Sequence, residues 1–113
     1  MATITDEYML QMRAKTKTYT IVLLKPGPRA YDYPEVEKLV WEHGRRNFAL
    51  RADGLLSLVC PITGETGLSG IGIFNSSLEQ TKDIMDGDPG VQAGVFTYEL
   101  HPCRSFPGDS LPA

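Results

Sequence analysis

Thr18-Tyr19-Thr20-Ile21-Val22-Leu23-Leu24 runs into Lys25-Pro26-Gly27-Pro28, and this stretch decides the fold. β-Branched, aromatic and aliphatic residues closed by a proline–glycine stop read as a strand. Side chains alternate along a strand, so Tyr19, Ile21 and Leu23 point one way while Val22 and Leu24 point the other. Both faces are apolar. A strand of that kind needs cover on both sides.

Working outward, Tyr33-Pro34 opens a helix with proline in its first turn, and Asp53-Gly54 closes it after Ala52. A second strand spans Leu55–Cys60, with Leu56 and Leu58 opposing Leu55 and Val59, and stops at Pro61. After the link Ile62–Gly67, a third strand spans Ser69–Phe74. Ser76 and Glu79 have the spacing of a capping box for a short helix over Ser77–Met85. Asp86-Gly87-Asp88-Pro89 breaks that helix, because the residue before a proline avoids helical geometry. Gly94–His101 is the last strand.

The order β-α-β-β-α-β is the split βαβ pattern of an α+β, ferredoxin-like sandwich: an antiparallel sheet with both helices on one face. The helices cannot cover the second apolar face, and the chain has no third layer. A second copy is the simplest cover, so the chain is expected to be a homodimer. Residues 18–102 form the domain, preceded by a loosely held arm over 1–17 and followed by a tail over 103–113.

The sequence has 113 residues, 42% hydrophobic and 22% charged, which suits one globular domain. A net charge of −3 gives no electrostatic reason to bind nucleic acid or an anionic membrane. The longest apolar run, Ile21–Leu24, is far too short to span a bilayer. The start, Met1-Ala2-Thr3-Ile4-Thr5-Asp6-Glu7, lacks the basic and apolar regions of a secretory signal, so a cytoplasmic location is expected. Cys60 and Cys103 then read as reduced thiols, and neither they nor His101 have metal-ligand spacing. Gly67-Leu68-Ser69-Gly70-Ile71-Gly72 leads into a strand and is no dinucleotide fingerprint. No metal and no cofactor are implied.

On a helical wheel, Val36, Leu39, Val40 and Leu50 share a stripe that faces the sheet, and His43 and Asn47 fall in its middle. Trp41 and Phe48 lie on another flank, suited to packing under the arm or a partner chain. A titratable ring aimed at the core has two readings: a satisfied core histidine, or a general base at the floor of a pocket. Asp88 stands at a helix stop, where the negative end of the dipole disfavours its charge and a protonated His43 could compensate.

The blocks around these two residues resemble the YCII-related family. His43 precedes Gly54-Leu55-Leu56 and Cys60-Pro61 at the family's spacings. Asp86-Gly87-Asp88-Pro89-Gly90-Val91-Gln92-Ala93-Gly94-Val95 is similar to its Asp-Pro-x-Val-x-Ala-Gly-Val signature. The likeness covers about residues 18–102. It implies a dimeric α+β barrel and an active site built from His43 and Asp88. It also implies cofactor-free lyase or isomerase chemistry on small cyclic or carbonyl-bearing compounds. Tyr19, Asn47 and Arg45 are the candidates for holding such a substrate. The alternative is a non-catalytic dimer that binds a small ligand or supports another enzyme.

Overall fold

A computed structural model describes residues 1–113. The elements in chain order are α1 (Asp6–Ala14), β1 (Lys17–Pro26), α2 (Val36–Ala52), β2 (Leu56–Pro61), β3 (Gly70–Phe74), α3 (Leu78–Asp86), α4 (Pro89–Gln92) and β4 (Phe96–Ser105). The four strands form one sheet in the order β2-β3-β1-β4, with every neighbouring pair antiparallel. That is the ferredoxin-like arrangement. No helix is long and apolar enough to cross a membrane.

The covered face carries the core. Val22 and Leu24 of β1, Leu56 of β2, Phe74 of β3 and Met85 of α3 form one buried cluster, with Phe96, Tyr98 and Leu100 of β4 packed against it. The register puts Tyr19, Ile21, Leu23, Ile71 and Ile73 on the opposite face, where all five stay half-exposed. On that face β4 contributes Glu99, His101 and Cys103. Strict alternation along β2 does not hold. A bulge between Leu56 and Leu58 puts an extra residue, Ser57, into the strand, so Leu56 and Val59 share the covered face while Leu58 turns to the open one.

Several boundaries differ from the sequence reading for identifiable reasons. Residues 6–14 are a helix, capped by Thr5, whose hydroxyl accepts from the Tyr8 N–H at 3.1 Å. No residue of α1 is buried. α2 starts at Val36, because Glu35 has left-handed geometry with φ 55°. The capping box before α3 sits one residue later than expected: Ser77 and Gln80 form it. β4 continues to Ser105, paired with Lys17, so the strand takes in the first residues of the expected tail. Trp41 and Phe48 remain 70% and 56% exposed, and no arm covers them.

The chain exposes 7996 Å². A compact monomer of this size exposes about 6,200 Å² by the usual scaling. The excess comes from the projecting helix, the open sheet face and a loosely seated α2, in which only His43 is buried.

Candidate active site

α2 and α4 bring His43 and Asp88 together. His43 Nδ1 lies 2.8 Å from Asp88 Oδ1. With the carboxylate as acceptor, Nδ1 donates and Nε2 keeps its lone pair, toward which Asn47 Nδ2 donates at 3.2 Å. Asn47 follows His43 by four residues, so both side chains stand on the same flank of the helix. Phe96 of β4 backs the imidazole, with ring centroids 4.8 Å apart.

Asp88 is 1% exposed, and its other oxygen is fully used. Oδ2 accepts from the N–H of Gly90 at 2.9 Å and of Val91 at 3.2 Å, which makes Asp88 the N-cap of α4. Read from the sequence, this carboxylate stands at the negative end of a helix. It instead caps the start of the next one, because Pro89 in the first turn begins α4 as soon as α3 has ended. Burial alone works against the charge. The hydrogen bond and charge of His43, with the two backbone N–H groups, outweigh it and hold the carboxyl below its ordinary value.

Two glycines make the turn possible. A Cβ on Gly90 would stand 2.5 Å from Phe96 Cδ2 and 3.0 Å from Asp88 Oδ2. Gly94, at φ 77°, lets the chain reverse into β4, and its carbonyl lies where a side chain on Gly27 would collide at 2.3 Å.

A cavity of about 1580 Å³ is lined by α2 and the covered face of the sheet and continues to the open face, where Tyr19, Leu58, Ile71 and Ile73 also line it. His43 and Asn47 line it with Val22, Leu24, Phe74 and Met85, whereas Asp88 stands behind the imidazole and does not. An imidazole held from behind by a carboxylate can take a proton at Nε2 from a molecule in the cavity once the Asn47 amide turns away from that nitrogen.

Of the five residues singled out in the sequence, the fold gathers His43, Asn47 and Asp88. Tyr19 lines the same cavity from the other sheet face. Its ring lies under Lys17 Nζ at 5.3 Å from the centroid. Arg45 is exposed and pairs with Glu42 at 3.1 Å. The arginine beside the pair is Arg46, with Nη1 3.9 Å from Asp88 Oδ1. Helical spacing held that signal: position i+3 from His43 shares its side, whereas i+2 does not.

No family model and no curated protein matches the chain. Among solved structures it is similar to 5-chloro-2-hydroxyhydroquinone dehydrochlorinase from Burkholderia phenoliruptrix AC1100 in complex with 2,5-dihydroxybenzoquinone. That match has 14% identity and a TM-score of 0.49, covering 75% of this chain and 91% of the other. It is also similar to methylated RPA0582 protein, at 16% identity and a TM-score of 0.42, covering 95% and 96%. The fold described above rests on strand order and register.

Proposed function

We propose that the chain is a cofactor-free enzyme of lyase or isomerase type that moves a proton on a small cyclic or carbonyl-bearing compound. His43 is the general base and Asp88 its orienting partner. The observation that carries this is the 2.8 Å contact from Nδ1 to a buried carboxylate, with Nε2 on the cavity side. The sequence likeness to the YCII-related family points the same way.

In the reaction the substrate C–H bond breaks, its proton goes to Nε2, and the electron pair moves onto the carbonyl oxygen. The Asn47 amide, released from Nε2, donates to that oxygen. Asp88 stays ionised and faces the imidazolium that forms. An isomerase returns the proton to another carbon; a lyase expels a leaving group. General-base catalysis of this kind contributes roughly 10²–10⁴-fold in rate.

The working unit in this reading is a homodimer joined through the open sheet face, with residues 18–102 and the end of β4 as its module. The apolar side chains there, and surface in excess of a compact monomer, support the pairing.

One observation favours a second reading. Asn47 already occupies the lone pair that the base requires. A non-catalytic ligand-binding module would keep that bond closed. Deuterium wash-in separates the two readings. Small cyclic ketones and keto acids are incubated with the protein in heavy water and followed by mass spectrometry. Exchange that His43→Ala reduces by about 10²-fold or more is expected. Exchange equal in wild type and His43→Ala excludes the base.

A further inference from the structure

The wall that α2 gives the cavity is a single row. His43, Asn47 and Arg51 recur every four residues and therefore stack on one flank of the helix. All three line the cavity. Exposure rises along the row, from a buried His43 through a half-buried Asn47 to an exposed Arg51. At the rise of an α-helix, the wall runs about 12 Å from imidazole to guanidinium. Phe48 belongs to the same wall, with the Arg51 guanidinium carbon 6.0 Å from its ring centre.

Arg51 is the one cation among the lining residues. The other cations of α2 are engaged: Lys38 with Glu35, Arg45 with Glu42 and Arg46 with Asp88. Two carboxylates, Glu65 and Asp109, also line the cavity, from the β2–β3 link and the C-terminal segment, and neither is in ion-pair reach of Arg51. The floor below the row is the apolar core face of the sheet. A guanidinium without a carboxylate partner, at the exposed end of this row and beside Phe48 and the apolar core face, has the geometry to take an anionic group by paired N–H donation.

We propose that Arg51 anchors the anionic end of a small organic acid, whose apolar body lies along Phe48 and the sheet floor. This rests on the cavity being the substrate site, and it adds the substrate class. The acid group sits at Arg51, a carbonyl at Asn47 and the labile C–H at His43, in the order the helix presents them.

Two fluorescent probes with the same rings test it: 8-anilinonaphthalene-1-sulfonate, an anion, and N-phenyl-1-naphthylamine, which is neutral. Both are titrated into wild type, Arg51→Gln and Arg51→Lys. Wild type is expected to bind the anion about tenfold more tightly or better. That preference should vanish in Arg51→Gln and largely survive in Arg51→Lys, with the neutral probe unchanged throughout. Equal affinities in wild type, a preference that persists in Arg51→Gln, or failure of both probes to bind overturns the proposal. The outcome is independent of turnover. An Arg51-dependent preference in a protein that shows no deuterium exchange keeps the anchor and removes the base.

Discussion

The two faces of β1 are built from similar residues and meet different fates. Thr20, Val22 and Leu24 are 1%, 2% and 8% exposed, while Tyr19, Ile21 and Leu23 between them stay half-exposed. Hydrophobicity does not separate the two sets, since the threonine is on the buried side. Cover separates them. The helices pack on one face and leave the other half-exposed.

The difference can be broken most sharply at two adjacent residues of β3. Phe74→Ala empties the covered core and should cost about 3–5 kcal/mol in urea denaturation, whereas Ile73→Ala on the open face should cost a small fraction of that in a monomer. An equal loss at both sites would mean that the open face is covered in solution. Its cover is the next test. Sedimentation at micromolar concentration is expected to give twice the chain mass, and Ile73→Lys should return it to one chain. A wild-type monomer at that concentration removes the pairing.

On the covered side, Gly90→Ala is expected to cost about 1–3 kcal/mol and to disturb the His43–Asp88 contact, because the new methyl group meets Phe96. Gly64→Ala is the matching change at an exposed loop with nothing within 4 Å of the new carbon, although its φ of 88° adds local strain.

Acid titration compares the faces through their charges. Asp88 has its folded pKa depressed below the ordinary 3.8. Its contribution is complete above that value and is lost as pH falls through the depressed one. Asp88→Asn should therefore flatten the acid limb of the stability curve. On the open face, hydrogen bonds from Lys25 first, then His101, hold Glu99 down. Those bonds are exposed, so added salt should weaken the Glu99 effect and leave that of Asp88 nearly intact.

The smallest effect is alkaline. Burial first, then the hydrogen bond to Asp86, pushes the Tyr98 phenol up to about 12. The neutral form is favoured in the fold, so this contribution is full below the ordinary 10.0 and fades as pH rises toward 12. Absorbance titration at 295 nm should show Tyr98 ionising late, and Asp86→Asn should move it earlier.

The fold was legible because alternation and turn residues are local. Val22 and Leu24 against Ile21 and Leu23, and the Pro-Gly stops, fix strands without knowledge of their neighbours. The bulge at Ser57 was not legible, since only pairing with β3 reveals two residues facing one. His43 and Asn47 could be read from the wheel, because a helix carries its own geometry. Asp88 could be named but not oriented. Its role as the cap of α4 depends on one helix ending and another starting within three residues. Arg46 stands at i+3 from His43, a spacing the wheel carries, whereas only the folded chain shows that Arg51 lines the cavity.

The register of the central ladder also sets the order of assembly. Lys17 pairs with Ser105 and Pro26 with Phe96, so the middle of the sheet joins segments from opposite ends of the sequence. Pairing so distant must close a large loop before it is rewarded, and such topologies fold more slowly than helical bundles built from local contacts. A nascent chain emerging from its N-terminus holds β1, α2, β2 and β3 while β4 is still unmade. His43 then lacks the Phe96 ring behind it. The His43–Asp88 pair joins residues 45 apart in sequence and can form only once the start of α4 has been made.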